Sequence, residues 1–149
     1  MRIQLKTSNN EPLEIACDRL VFSGGEVQVR LHDLPSAADG ANVTQLIHDS
    51  NQFMELLLVT NALREKYGPD FPVDLVCPYL PYARQDRVCY PGEAFSLKLA
   101  CGLINAQGYR SVTLFDVHSK VAMGLLDRCV NLTPAVLLER YFSELEATD

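Results

Sequence analysis

Residues 43–78 read VTQLIHDSNQFMELLLVTNALREKYGPDFPVDLVCP, and this stretch decides the fold class. The apolar runs at Val43–His48 and Val73–Pro78 each predict a strand. Between them, Asn51–Tyr67 carries apolar residues at the spacing of three and four that is typical of a helix. Three polar residues can supply the N-cap of this helix: Asp49, Ser50 or Asn51. Strand, helix and strand in this order predict a parallel βαβ unit.

The same alternation of helix and strand continues to the end of the chain. The later elements are predicted at Ala94–Gln107 (helix), Ser111–Val117 (strand), Ala122–Leu126 (helix), Cys129–Leu132 (strand) and Pro134–Leu145 (helix). The earlier part predicts a hairpin of Arg2–Lys6 with Leu13–Cys17, a strand at Glu26–Leu31 and a loop over 32–42. We therefore predict one α/β domain over residues 1–149, with a parallel sheet flanked by helices on both faces. Ligands of such sheets bind at the carboxyl ends of the strands.

Composition and charge exclude several classes of protein. The chain has 149 residues, of which 48% are hydrophobic and 21% charged, as expected for a soluble globular domain. Its net charge of −6 argues against a nucleic-acid or membrane-surface partner, since both require a basic surface. No apolar run approaches the roughly 18–20 residues of a membrane span, and the first residues lack a signal-peptide pattern. These features predict a cytoplasmic protein.

The five cysteines predict neither disulfides nor a zinc site, because their number is odd and no CxxC pair occurs. Cys77 and Cys101 lie in apolar segments and are predicted to be small buried hydrophobic residues. Cys89 lies in a polar loop and is predicted to be an exposed thiol.

The first segment whose side chains suit ligand binding is PYLPYARQDRVCYPGE, residues 78–93, which overlaps the end of a predicted strand at Pro78 and continues beyond it. Its consecutive polar residues are Arg84, Gln85, Asp86 and Arg87. Two guanidinium groups suit phosphate oxygens, and a glutamine can hydrogen-bond a purine or a ribose. Composition alone, however, favours a solvated turn with arginine–aspartate pairs.

The second segment is LFDVHSKVAMGLLD, residues 114–127. Asp116 and His118 are alternate residues, so an extended backbone points both side chains to the same side. A carboxylate suits Mg²⁺, whereas a histidine better suits a nucleotide phosphate or a transition metal. The alternative is an aspartate that caps the next helix beside an ordinary surface histidine.

The third segment is VFSGGE, residues 21–26. Its glycine pair allows a ligand to approach the backbone closely, but tight turns use the same residues. The segment has neither the lysine nor the length of a Walker loop, so on its own it is best interpreted as a turn.

Together and in this order, the three segments resemble the N-terminal half of the ribose-phosphate diphosphokinases, whose domains have a type I phosphoribosyltransferase-like fold. The resemblance includes FSGGEVQVRL, FMELLLVTNALRE, PYLPYARQDR, PGEAFSLKLACGLI and LFDVHSKVAMGLLD. It extends from about Arg19 to Pro134, and the PYxPYARQDR run is its most specific part.

This resemblance implies ATP and ribose 5-phosphate as substrates, Mg²⁺ as cofactor and a homo-oligomer as the assembly. The implied nucleotide contacts are Arg84 and Gln85, continued by Asp86 and Arg87, with His118 on the ATP phosphates. The implied metal ligands are Asp116, His118 and Asp127. Three further residues match positions that reach the adenine of ATP held by a neighbouring subunit: Phe22, Gly24 and Glu26.

The chain departs from the family in two respects. The acidic ribose 5-phosphate loop and the catalytic lysine- and arginine-bearing loop of the family's second half do not occur in these residues, so we expect this half to be inactive alone. Lys120 and Met123 replace a Ser and a Gln of the family's regulatory site, which argues against regulation by phosphate and ADP there. One alternative is a non-catalytic regulatory or scaffolding relative. Another is a small Asp/His metal-dependent hydrolase, which is weaker because two ligands are too few for a catalytic metal site.

Overall fold

The computed structural model describes residues 1–9, 11–117 and 119–146, without the side chains of residues 137, 140, 142 and 144–146. The described strands are β1 (Arg2–Lys6), β2 (Pro12–Glu14), β3 (Cys17–Val21), β4 (Val27–Leu31), β5 (Gly40–Thr44), β6 (Val73–Cys77), β7 (Ser111–Phe115) and β8 (Cys129–Leu132). The described helices are α1 (Ser50–Tyr67), α2 (Ser96–Ala106), α3 (Lys120–Leu125) and α4 (Pro134–Glu146).

Six of these strands form one sheet in the order β2-β1-β5-β6-β7-β8. Strands β5 to β8 are parallel, whereas β1 runs antiparallel to β5 and β2 antiparallel to β1. Strands β3 and β4 form a separate antiparallel hairpin. The predicted α/β class is therefore confirmed: the sheet is mostly parallel and flanked by helices, and its first two strands make it mixed.

One face of the sheet forms the core. Val43, Leu75 and Val112 lie side by side in register on three neighbouring strands, and all three are buried. Helices α1 and α2 complete this core with Phe53, Leu56, Val59, Leu63, Leu97, Ala100, Cys101 and Ile104. Side chains on the other face of the central strands, such as Val76 and Thr113, are only half-buried. Successive side chains of these strands therefore point to opposite faces of the sheet, one fully buried and the other only half-buried.

Helix α1 lies within one residue of its predicted bounds. It runs over Ser50–Tyr67, and the side chain of Asp49 caps it by accepting a hydrogen bond from the Gln52 N–H at 2.8 Å. Gly68 ends the helix in a left-handed conformation (φ 109°) that a side chain rarely adopts, and its N–H donates to the Arg64 carbonyl.

The position of strand β5 differs from the prediction. It begins at Gly40, inside the predicted loop 32–42, and ends at Thr44 rather than at His48. A Cβ atom at residue 40 would lie 3.0 Å from the Pro72 carbonyl oxygen, so a glycine suits this approach. The same carbonyl accepts a hydrogen bond from the Ala41 N–H at 2.9 Å. In the first 31 residues, the predicted strand Leu13–Cys17 is observed as the shorter strand β2, Pro12–Glu14. Strand β3, Cys17–Val21, was not predicted.

The cysteines occupy the predicted environments. Cys77 and Cys101 are buried, and burial raises the pKa of Cys77 to about 12 and that of Cys101 to about 11. Both thiols therefore stay protonated at neutral pH and act as apolar groups. Cys89 is exposed. In the part of the chain that the structure describes, no helix combines the length and the apolar character that crossing a membrane requires.

A charged network ties together three strands at the amino end of the parallel sheet. Asp74 accepts hydrogen bonds from Lys6 Nζ (2.7 Å), Arg110 Nε (3.0 Å) and Ser111 Oγ (2.8 Å), and it pairs with a second nitrogen of Arg110. Burial alone would raise the pKa of Asp74, but these donors outweigh it and hold the pKa well below its ordinary value of 3.8.

Because the pKa of Asp74 is lowered in the folded state, its charge stabilises the fold above pH 4 and less so as the pH falls below that value. We expect Asp74→Asn to reduce the free energy of unfolding by about 1–3 kcal/mol at pH 7, a range that allows for the half-exposed Lys6 and Arg110. Urea unfolding of both proteins at pH 7 and pH 3 measures this difference. It should shrink at pH 3, and an unchanged difference would show that the charge is not the stabilising feature.

Candidate functional site

The loop after β6 presents the two arginines of the first segment. Leu80 and Pro81 are buried and anchor the loop. Tyr82 follows in the left-handed region (φ 63°), and its carbonyl accepts a hydrogen bond from the Gln85 N–H at 2.8 Å. A non-glycine residue in this conformation stores strain, and such residues cluster at functional sites. The turn leaves Arg84 and Gln85 exposed.

These exposed residues line a cavity of about 380 Å³. Its lining residues are Arg84, Gln85, Arg87, Cys89, Glu93, Ala94 and Ser96. Glu93 closes the loop, because its Oε2 accepts hydrogen bonds from the backbone N–H groups of Cys89 (2.9 Å) and Tyr90 (3.1 Å). The volume falls in the range of small-molecule sites, roughly 300–1,000 Å³. The segment that composition alone favoured as a solvated turn therefore forms one wall of a cavity that two arginines line.

The second segment begins at the carboxyl end of β7. Asp116 is exposed and adopts a left-handed conformation (φ 47°), and its N–H donates to the Leu132 carbonyl at 2.9 Å. The next residue, Val117, is held on both sides by Asn131, which accepts from its N–H (3.1 Å) and donates to its carbonyl (3.3 Å). Sequence reasoning missed Asn131, because only the register of β7 with β8 brings it beside Val117.

The two segments meet along a smaller cavity of about 140 Å³. Its lining residues are Pro78, Tyr79, Leu80, Ala83, Arg84, Phe115, Asp116, Val117 and Ser119. A direct hydrogen bond also joins the segments, from Ser119 Oγ to Asp86 Oδ2 at 3.0 Å. The structure thus brings Arg84 and Asp116 to one cavity at the carboxyl ends of β6 and β7, where ligands of parallel sheets bind. His118, which the sequence also placed here, lies outside the described residues.

A third cavity, of about 240 Å³, reaches from Gln85 to the start of helix α1. It is lined by Ile47, His48, Asp49, Ser50, Phe53, Tyr79, Pro81, Tyr82 and Gln85. The rings of His48 and Tyr79 stack with their centroids 6.5 Å apart. Gln85 therefore lies where two cavities adjoin, between the arginines and an aromatic wall.

The structure does not bring Asp127 to this site. Asp127 precedes β8, so it lies at the amino end of the parallel strands, whereas Asp116 follows β7 at the carboxyl end. The four residues of β8 separate these ends by roughly 13 Å at the rise of an extended strand. The Asp127 N–H instead donates to Asn105 Oδ1 at 2.9 Å. Among the side chains that the structure describes, no three of His, Cys, Asp or Glu are close enough to hold a metal ion.

The third segment forms the tip of the β3–β4 hairpin. The Phe22 N–H donates to the Glu26 carbonyl (2.9 Å), and the Gly25 N–H donates to the Phe22 carbonyl (2.8 Å). Gly25 takes the left-handed conformation of this turn (φ 92°), and a Cβ at Gly24 would lie 2.5 Å from Glu26 Oε2. Phe22 is half-exposed. None of the three cavities described above is lined by the hairpin, so within one chain its tip lies outside them.

Comparisons with known proteins point to one family. A family model described as the N-terminal domain of ribose phosphate pyrophosphokinase matches residues 6–108. The ribose-phosphate pyrophosphokinase of Oceanobacillus iheyensis is 32% identical over 135 residues, which are 89% of this chain and 42% of that protein. The ribose-phosphate pyrophosphokinase of Thermococcus kodakarensis is 32% identical over 142 residues, which are 95% of this chain and 49% of that protein.

A solved structure agrees with these relatives. The crystal structure of phosphoribosylpyrophosphate synthetase from Mycobacterium smegmatis superposes with a TM-score of 0.70 at 26% identity. The match covers 87% of this chain and 44% of that one. The chain therefore spans less than half the length of each of these three proteins.

Proposed function

Because the chain belongs to the family of ribose-phosphate pyrophosphokinase N-terminal domains, we propose that it is the ATP-binding part of an enzyme that transfers diphosphate from ATP to ribose 5-phosphate. Ribose-phosphate pyrophosphokinase is another name for the diphosphokinase that the sequence resembles. The observation that supports this proposal most directly is the placement of Arg84, Gln85 and Arg87 around one cavity, with Arg84 also lining the cavity of Asp116.

In this proposal the arginines hold the phosphates of ATP. Among the described residues, none pairs with the guanidinium group of Arg84, and Arg87 has only a long contact to Asp86, at 3.5 Å. Both groups are therefore available to a ligand. Their forked donors match phosphate oxygens, and they supply local positive charge to a chain whose net charge is −6. Gln85 then contacts the base or the ribose, and His118 contributes from the neighbouring segment.

Mg²⁺ fits the site in the manner it usually adopts with nucleotides. Magnesium sites in phosphate-transfer enzymes use one or two carboxylates together with the substrate's own phosphate oxygens. Asp116 supplies one exposed carboxylate beside Arg84. A bound Mg²⁺ would neutralise the charge that develops on the phosphates during transfer. Asp127 is left out of this proposal because it lies at the other end of the strands.

The residues of this chain thus hold and orient ATP, the donor of the diphosphate group. In the proposed reaction the 1-hydroxyl of ribose 5-phosphate attacks the β-phosphorus of ATP, the bond from that phosphorus to the α-phosphate oxygen breaks, and AMP leaves. The positioned guanidinium groups stabilise the charge on the phosphate oxygens without chemical change of their own.

A second copy of the chain would complete the adenine site. The tip of the β3–β4 hairpin, with Phe22 and Glu26, lines none of the three cavities of the candidate site within its own chain. Exposed apolar side chains continue along the hairpin at Leu20 and Val21. We infer that the hairpin reaches the nucleotide of a neighbouring subunit in a homo-oligomer.

We expect the purified chain alone to form no 5-phosphoribosyl 1-diphosphate. The acidic loop expected to bind ribose 5-phosphate and the catalytic loop of the family do not occur in these residues, so the acceptor would be left without its site. Release of AMP from ATP, measured with and without ribose 5-phosphate, checks this expectation. AMP release that depends on ribose 5-phosphate would contradict it and would place the acceptor site on this chain.

The substitution Asp116→Asn tests the magnesium part of the proposal. Asparagine tolerates the left-handed backbone of this position (φ 47°), so the change removes the charge and leaves the turn. We expect ATP affinity to fall roughly tenfold in the presence of Mg²⁺ and to stay unchanged in its absence. Calorimetric titrations under both conditions measure the two values. An equal loss without Mg²⁺ would assign Asp116 to the fold of the loop rather than to the metal.

A further inference from the structure

Ser119 joins the two segments of the candidate site. Its hydroxyl donates a hydrogen bond to Asp86 Oδ2 at 3.0 Å, and Asp86 lies between Gln85 and Arg87 in the arginine loop. Ser119 itself is 8% exposed, and its hydrogen bond to Asp86 is partly buried. Ser119 also follows Asp116 by three residues and lines the same cavity as Arg84 and Asp116.

We propose that Ser119 is a positioning residue that holds the Arg84–Arg87 loop against the carboxyl end of β7 through Asp86. This tie adds a side-chain contact at the middle of the loop, where Arg84, Gln85 and Arg87 are exposed, to the anchorage that Leu80 and Pro81 give its start. The side chain of Asp86 is only 26% exposed, and its Oδ2 atom accepts the hydrogen bond from the serine. This oxygen is therefore engaged by the protein itself. The effect of this tie on ATP affinity rests on the proposed function, whereas its effect on the position of the loop does not.

The same hydroxyl has a second role that must be separated from the first. Ser119 is the N-cap of helix α3, and its Oγ accepts a hydrogen bond from the Ala122 N–H at 3.3 Å. A serine hydroxyl donates one hydrogen bond and accepts others, so both contacts can form together. Three substitutions divide the roles. Threonine keeps the cap and the donor, aspartate keeps the cap but places a second carboxylate beside Asp86, and alanine removes both contacts.

Two measurements on the 149-residue chain test the proposal. The first is the dissociation constant of ATP with Mg²⁺, obtained by calorimetry. The second is the rate of tryptic cleavage after Arg84 and Arg87, followed by mass spectrometry, with cleavage after Arg110 as the internal reference because that residue pairs with Asp74 away from the loop. Thermal melting of each variant establishes that it is folded.

We expect Ser119→Ala and Ser119→Asp to weaken ATP binding roughly tenfold and to speed cleavage after Arg84 and Arg87 relative to Arg110. Ser119→Thr should stay within roughly twofold of the unsubstituted chain in both measurements. If Ser119→Asp behaves like the unsubstituted chain while Ser119→Ala does not, the serine acts only as a helix cap and the proposal is overturned. The proposal is also overturned if Ser119→Thr, which keeps both contacts, is as impaired as Ser119→Ala, because the impairment would then not depend on the hydrogen bond to Asp86.

The two measurements distinguish a failure of the proposed ATP site from a failure of the proposed role of Ser119. If the unsubstituted chain binds no ATP, the nucleotide assignment fails, and the cleavage rates alone decide the role of Ser119. Faster cleavage after Arg84 and Arg87 in the alanine and aspartate variants supports the tie between the segments. Unchanged cleavage overturns it.

Discussion

Arg84→Ala is expected to reduce the affinity of the chain for ATP with Mg²⁺ by roughly a hundredfold or more. Arg84 lines both the cavity of the arginine loop and the cavity shared with Asp116, so this residue borders both the proposed phosphate position and the proposed metal position. Each hydrogen bond from a charged group contributes about 1.5–3 kcal/mol, and a forked guanidinium makes two. Calorimetric titration of the variant measures the loss.

Two further variants separate this effect from a general loss of charge. Arg84→Lys keeps the charge but not the fork, so we expect an intermediate affinity. Arg2→Ala removes the same charge from an exposed position on strand β1, where Arg2 pairs with Glu14, and should leave ATP affinity unchanged. If Arg2→Ala weakens binding as much as Arg84→Ala, the effect is one of net charge and the phosphate assignment is wrong.

The largest effect on stability is expected for Leu75→Ala, which should lower the free energy of unfolding by about 2–5 kcal/mol. Leu75 is fully buried in the central strand β6, in register with Val43 on one side and Val112 on the other. Removing its side chain therefore leaves a cavity that neighbours on both strands border. Urea denaturation measures the change.

The matched control is Val76→Ala, on the next residue of the same strand. Val76 points to the opposite face, where it is only half-buried, so its truncation should cost about 1 kcal/mol or less. Equal losses for the two variants would mean that both faces of β6 are packed alike, against the one-sided burial described above.

The elements that the sequence predicted well are those whose signals are local. Helix α1 has a regular apolar spacing, a capping aspartate and a terminal glycine, and its observed start lies within one residue of the prediction. Strand β8 matches its predicted bounds, Cys129–Leu132. Strand β5 was displaced because Gly40 and Ala41 carry no strand signal of their own. They are extended because β1 pairs with both residues and β6 pairs with Ala41.

The residues of the candidate site also fall into two groups: those whose position follows from the sequence and those whose position does not. That Arg84 and Asp116 would meet follows from two polar segments that both leave parallel strands at their carboxyl ends. The position of Asp127 follows from the same rule, since a residue that precedes strand β8 lies at the opposite end. Asn131 and Ser119 carry no such signal. Their contacts to Val117 and Asp86 depend on the register of β7 with β8 and on the path of a long loop, which only the folded chain fixes.

The central claim is that this chain carries the ATP site of a ribose-phosphate pyrophosphokinase, and calorimetric titration of ATP with Mg²⁺ into the chain tests it most directly. The titration should be run at a protein concentration where oligomers form, because the hairpin of a second copy is proposed to complete the site. We predict saturable binding of one ATP per chain. Absence of binding under these conditions would contradict the claim and would leave the chain a family member without a nucleotide site of its own.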